Sequence, residues 1–202
     1  MASRLIELRG IMSDDAWLSD PARDANLLQG FIDRLYAKRS ASVLEMGTKR
    51  SNPEVSTMHR EWASADASYV CTDLEMGIDV DVAIDAHQLS KAFPENSFDA
   101  VISVSVFEHL QRPWIVTREI EKILKPGGEL VIYTHFAFPI HGYPCDYFRF
   151  TKEALETICE DAGLESLGSD YENPAYIHSM ADPNTKSGQA YTGVKIVARK
   201  TR

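Results

Sequence analysis

Ten residues constrain this chain more than any others: Ser42-Val43-Leu44-Glu45-Met46-Gly47-Thr48-Lys49-Arg50-Ser51. The first half reads as a short buried strand that carries one acid. The second half reads as a turn that opens toward a helix. Where such a strand begins an alternating α/β pattern, a small ligand sits outside the carboxyl ends of the strands, near the first strand-to-helix turn. The segment therefore predicts a pocket, and the later strands are to be read by what they bring to it.

The alternation is present. Asp20-Pro21 reads as an N-cap with proline at the first helical position. Leu28, Phe31, Ile32 and Leu35 follow at helical spacing, and Lys38-Arg39 suit its C-terminus. Strands are expected at 43–46, 68–72, 80–84, 100–106, 130–134, 164–167 and 194–198. Helices are expected from Asn52-Pro53 through Trp62, over 114–124, and after a Thr151 cap up to Gly163. The pattern predicts an α/β, doubly wound, mostly parallel sheet with helices on both faces. Two long connections, 135–150 and 170–190, are rich in aromatics, Pro, His and Asn, and are read as functional loops.

Composition narrows the classes. The 202 residues suit one domain, with an N-terminal helical segment (1–40), a ligand-binding core (41–135) and acceptor-side loops and strands (136–202). A formal net charge of −9 argues against a nucleic-acid partner, which phosphate neutralisation would pair with a basic face. No apolar run approaches the length of a membrane span, so no membrane partner is expected. The charge-broken N-terminus lacks the core of a signal peptide. Cys71, Cys145 and Cys159 are sparse and show no metal spacing, so a reducing, cytoplasmic setting and no metal are expected.

Three acids fall at successive strand ends: Glu45, Asp73 and Asp85. Acids at strand ends are often merely solvated, but three in succession suggest a site. An acid after the second strand can accept both hydroxyls of a ribose, and one after the third can accept an adenine amino proton. Together they point to an adenosine ligand. A dinucleotide needs several glycines to admit its pyrophosphate. Here only Gly47 is present, with Lys49 and Ser51 where further glycines would stand, which counts against a nicotinamide oxidoreductase. S-adenosylmethionine carries no phosphate, and its sulfonium suits the Glu45 carboxylate. Lys49 and Arg50 either meet its carboxylate or are solvated.

Taken in order, Val43-Leu44-Glu45-Met46-Gly47, Cys71-Thr72-Asp73-Leu74, Asp85-Ala86-His87, Ser97-Phe98-Asp99-Ala100-Val101-Ile102, Phe107-Glu108-His109-Leu110 and Leu124-Lys125-Pro126-Gly127-Gly128 resemble the class I S-adenosylmethionine-dependent methyltransferases, of the type 11 kind with a degenerate glycine turn. The resemblance covers residues 41–165. It implies a Rossmann-like seven-stranded sheet whose last strand is antiparallel. It implies that Glu45, Met46 and Gly47 line the methionine end of the cofactor, that Asp73 binds the ribose with Leu74 beside the adenine, and that Asp85, Ala86 and His87 border the adenine ring. Ser103 and Ser105 would face the cofactor or the acceptor.

Methyl transfer needs chiefly positioning, and a base only for a hydroxyl or a protonated amine. His109, His135 and His141 are the candidate bases, each with a packed or solvated reading beside it. In the loop after the fifth strand, Tyr143, Asp146, Tyr147 and Arg149 are candidate contacts to a small-molecule acceptor. Asp146 and Arg149 also read as a pair that closes the loop, and this stretch resembles one in methyltransferases that accompany glycan or natural-product genes. The expected activity is methylation of such a small acceptor, most plausibly at oxygen. The alternative is a non-catalytic methyltransferase-like scaffolding domain. The second loop either borders the acceptor or makes a homodimer contact.

Overall fold

A computed structural model of the chain describes residues 21–142, 145–177 and 188–202. Seven strands form one sheet: β1 (Ser42–Met46), β2 (Ser68–Asp73), β3 (Val82–Ala83), β4 (Phe98–Val104), β5 (Leu124–His135), β6 (Leu164–Ile177) and β7 (Gly188–Lys200). Their order is β3-β2-β1-β4-β5-β7-β6. Neighbours from β3 to β5 run parallel, and β7 lies antiparallel between β5 and β6. This is the predicted seven-stranded sheet with an antiparallel last strand.

Side-chain alternation along the strands sends residues to two cores. Val43, Ala100, Ile102, Val131 and Val197 pack with Phe31 and Leu35 of α1 (Pro21–Ala37) on one face. Leu44, Met46, Val101, Leu130, Ile132 and Ile196 meet α2 (Leu89–Ala92), α3 (Pro113–Ile123) and α4 (Lys152–Asp161) on the other. Two faces each covered by helices explain why the central strands are apolar nearly throughout. Val116, Ile120 and Ile123 give α3 its buried stripe, and all three are fully buried. Thr151 caps α4 as expected, its Oγ1 accepting from the Ala154 amide. Asp20 and the rest of residues 1–20 lie outside the described residues.

The structure corrects three expectations. No α-helix forms between Asn52 and Trp62; the stretch is turns followed by a single 3₁₀ turn at Arg60–Trp62. Asn52 Oδ1 accepts from the Glu54 amide and Ser56 Oγ from the Met58 amide, local bonds that compete with helical ones. The third strand is only two residues long. The expected second loop is largely strand: β6 and β7 extend as a hairpin, pairing Pro174 with Tyr191 and Ile177 with Gly188. Ten intervening residues, 178–187, lie outside the described set. Among the described residues no helix is long and apolar enough to cross a membrane.

Candidate active site

A cleft of about 1260 Å³ opens at the carboxyl ends of β1, β2 and β4. The sequence-predicted residues Glu45, Met46, Gly47, Asp73, Leu74, Asp85, Ala86 and His87 all line it, as do His109, His141 and Tyr147.

The first turn is built without a glycine run. Gly47 has φ +77°, and a Cβ there would collide with a methyl of Val106. Beyond it, Thr48 Oγ1 donates to the Asp79 carbonyl at 2.7 Å, and Arg50 grips the Asp79 carboxylate and the Pro53 carbonyl. Thr48 and Arg50 thus hold by side-chain bonds a turn that glycines would otherwise shape. The Lys49 ammonium pairs with Glu75 on the exposed rim.

Glu45 is 2% exposed. Its carboxylate accepts from the His59 amide at 3.0 Å and from the Tyr69 hydroxyl at 2.6 Å, and lies 2.7 Å from His59 Nδ1. Burial and the Glu45 charge push the Tyr69 phenol far above its ordinary value, so it stays a donor. Glu45 therefore brings a buried, anchored negative charge to the cleft floor. Asp73, at the end of β2, accepts from the Lys49 amide at 3.1 Å through Oδ2. Leu74 beside it is 68% exposed, an apolar face left open at the cleft. Asp85 Oδ1 takes the His87 amide and lies 2.6 Å from the ring Nδ1, while His87 Nε2 accepts from the Arg112 amide. Burial alone would raise the Asp85 carboxyl, but the His87 amide and ring outweigh it and hold it below its ordinary value.

At the other end of the cleft, a 3₁₀ turn after β4 (Phe107–His109) meets the loop after β5. Glu108 is fully buried. Its Oε2 accepts from Thr134 Oγ1 at 2.6 Å, while Oε1 receives no hydrogen bond. Nε2 of His135, His109 and His141 lie 3.1, 3.7 and 3.8 Å from that Oε1. The ring nitrogen Nδ1 of His109 sits 2.6 Å from the Cys145 carbonyl. A carbonyl only accepts, so Nδ1 carries a proton, and in the neutral ring Nε2 is the nitrogen with the lone pair. His141 Nδ1 lies 3.2 Å from the Pro139 carbonyl, which sets the same tautomer. Burial pushes His135 below its ordinary value; the nearby Glu108 opposes this, and His141, Arg149 and His109 reinforce it.

The loop itself is stapled to the core. Tyr147 and Phe148 amides donate to the Glu108 carbonyl, and the Phe150 amide to that of His135. Arg149 pairs with both oxygens of Asp146 and also donates to the Phe138, Pro139 and Phe148 carbonyls. Asp146 further accepts from the His141 amide. Asp146 and Arg149 thus form the pair that closes the loop, the second of their two readings, and neither lines the cleft. Of the four residues proposed for the acceptor, Tyr147 does line the cleft, and Tyr143 lies outside the described residues. Ser103 is fully buried and does not line the cleft, while Ser105, two residues on, does. His135 is set behind the lining. The sequence reading gave Glu108 no role of its own, although its place beside His109 after a buried strand was the available signal.

Comparison with known proteins agrees with this architecture. A family profile described as "Methyltransferase domain" matches residues 52–132. A ubiquinone biosynthesis O-methyltransferase from Pseudomonas paraeruginosa is 28% identical over 106 residues, 52% of this chain and 40% of that protein. The chain thus spans less than half the length of the curated relatives it matches. Among solved structures, a SAM-dependent methyltransferase from Archaeoglobus fulgidus superposes with TM-score 0.61 at 17% identity, covering 94% of this chain and 99% of that one. The Burkholderia thailandensis 1,6-didemethyltoxoflavin-N1-methyltransferase, solved with its substrate and S-adenosylhomocysteine, gives 0.59 at 16% identity over 100% and 90%. The domain match covers residues 52–132, and the seven-stranded fold is the one these solved S-adenosylmethionine-dependent methyltransferases share.

Proposed function

We propose that the chain is a methyltransferase that uses S-adenosylmethionine to methylate a small-molecule acceptor at a hydroxyl. The observation that carries this reading is one cleft that joins the acids of β1, β2 and β3 to the histidines beneath the loop after β5. The residues fit the cofactor. Asp73 presents a carboxylate where a ribose diol would lie, Leu74 leaves an apolar face for the adenine, and Asp85 stands beside it as an acceptor. Gly47 leaves room where a side chain would crowd Val106, and the anchored Glu45 supplies negative charge for the methionine end. When bound, the cofactor supplies an electrophilic methyl carbon.

The chain's own part is to bind, orient and deprotonate. The fixed turn and the two strand-end carboxylates hold one reactant, and positioning is the larger share of catalysis in such a displacement. Tyr147 offers an aromatic face at the acceptor end. His109 Nε2 and His141 Nε2, left basic by the carbonyls on their other nitrogens, are placed to take a proton from an acceptor hydroxyl. Nucleophiles that need no base, such as a neutral amine, would not call for them. The exposed aromatic rim formed by Phe138 and Tyr147 suits a ring, either a sugar or a natural-product metabolite. The Pseudomonas relative is named an O-methyltransferase, which supports oxygen as the methylated atom.

The scaffolding alternative draws on one observation: Lys49, not glycine, packs across Gly77 at the first turn. Titration with S-adenosylhomocysteine separates the readings. Saturable binding, followed by methyl transfer to sugar or phenolic hydroxyls in a screen, supports the enzyme. A folded protein that binds no adenosine ligand overturns it.

A further inference from the structure

We propose that Glu108, His135 and His141 form a binding site for a divalent first-row transition cation, with His109 beside it and a fourth position open to the cleft for an oxygen of the acceptor.

Two imidazole nitrogens and one carboxylate oxygen converge. The ligand atoms of Glu108, His135 and His141 all lie within 4.8 Å of one another. His109 Nε2 lies beside them, 3.7 Å from Glu108 Oε1. Bond lengths near 2.0–2.1 Å in a tetrahedral site put neighbouring ligands about 3.3 Å apart, and the observed 3.1 and 3.8 Å separations of His135 and His141 from Oε1 bracket that value.

The hydrogen bonding is the second, independent observation. Glu108 is fully buried, yet Oε1 receives no hydrogen bond, even with His135 Nε2 at 3.1 Å. A buried carboxylate oxygen without a donor is costly. The outer nitrogens of His109 and His141 face carbonyls, so in the neutral rings the inner nitrogens present lone pairs on the side of Oε1. Lone pairs facing one another repel unless something positive sits between them. Histidines that hold a metal characteristically give their other N–H to a carbonyl or carboxylate. Both of these do so, and Thr134 fixes the second carboxylate oxygen.

The ligand chemistry selects the class of ion. Two imidazoles with one carboxylate suit zinc, iron or a neighbouring metal, whereas calcium and magnesium prefer oxygen donors. The open side follows from placement. His109 and His141 line the cleft, whereas Glu108 and His135 stand behind it. A cation held there would meet an acceptor oxygen and favour its ionised form, taking the place of His141 as base and leaving His109 Nε2 to receive the proton. This last assignment rests on the methyltransferase reading; the metal site does not.

The test uses full-length protein without a polyhistidine tag, stripped with a chelator and checked for folding by circular dichroism. Zn²⁺ is titrated by calorimetry and Co²⁺ by visible absorption. The expected result is one Zn²⁺ per chain at micromolar or tighter affinity, with ligand-field bands from bound Co²⁺. His141→Ala and His135→Ala should each weaken Zn²⁺ by more than about 100-fold, since losing a supporting partner alone costs roughly 10–100-fold. His141 is half-exposed, so its variant keeps the test valid if His135→Ala does not fold. No saturable Zn²⁺ binding, or binding undiminished in His141→Ala, overturns the proposal. S-adenosylhomocysteine is titrated on the same samples. Binding of it without Zn²⁺ overturns the metal site alone, while Zn²⁺ binding without it overturns the functional reading alone.

Discussion

Gly142 lies flat against the imidazole of His109: a Cβ on Gly142 would come within 2.5 Å of the ring's Cε1. The other side of the same residue pair is closed by the Cys145 carbonyl on His109 Nδ1. The loop after β5 and the histidine after β4 therefore move as one unit. Gly142 also has φ +60°. Gly142→Ala should lower the melting temperature by a few degrees, since a left-handed alanine costs roughly 1–2 kcal/mol. Its affinity for S-adenosylhomocysteine should stay within about threefold, because the ring it displaces lies at the acceptor end. An unchanged melting temperature would contradict the packing described.

Gly47 makes the same argument at the opposite end of the cleft. Here a side chain would strike Val106 and the backbone would be strained. Gly47→Ala should weaken S-adenosylhomocysteine by more than about tenfold as well as lowering the melting temperature, a contrast with Gly142→Ala that calorimetry reads directly. Restoring glycine at Lys49 should have little effect, since Thr48 and Arg50 already fix the turn.

Asp99 sets an acid limb on stability. It joins β4 to the Ser42 amide, to Lys38 and to Lys125. Burial alone would raise its carboxyl, but the two lysines and the Ser42 amide outweigh burial and hold it below the usual carboxylate range. A carboxyl depressed in the folded state contributes stability above its unfolded value, and that contribution is lost as pH falls through the folded one. Urea midpoints should therefore drop as pH falls below the ordinary aspartate range. Asp99→Asn should lower the midpoint at neutral pH and flatten this acid limb.

Arg149 staples the acceptor-side loop through Asp146 and three carbonyls. Arg149→Ala leaves those groups to water. Limited proteolysis should then cut within residues 136–150 faster than in the parent, while the core fragment persists. Equal cleavage rates would show that the aromatic packing of Phe148 and Phe150 holds the loop unaided.

Much of this was legible in the chain. The buried strands declared themselves because both sheet faces are covered, so β1 and β4 read as short, largely apolar runs. The acids at 45, 73 and 85 were legible because each follows a strand, and all three line the cleft. The β6–β7 hairpin was hidden by Asn173 and Pro174, which read as a loop but sit within a strand beside β7. The helix expected at 52–62 was hidden by side chains of Asn52 and Ser56 that bond locally instead. The histidine cluster could not be read from spacing, since Glu108 follows β4 whereas His135 ends β5 and His141 lies in the loop after it, and the parallel β4–β5 pairing brings the two stretches together. The Asp146–Arg149 pair was visible as one of two readings, and the structure forms it through two hydrogen bonds.

The most direct test of the central claim is calorimetric titration of S-adenosylhomocysteine into the protein and into Asp73→Ala, with NAD as control. The account predicts saturable micromolar binding to the parent, none of NAD, and a loss of roughly 10–100-fold in the variant, the size of a charged hydrogen bond. Equal affinity in the two proteins would remove Asp73 from the ribose, and no binding to folded parent protein would contradict the cofactor assignment as a whole.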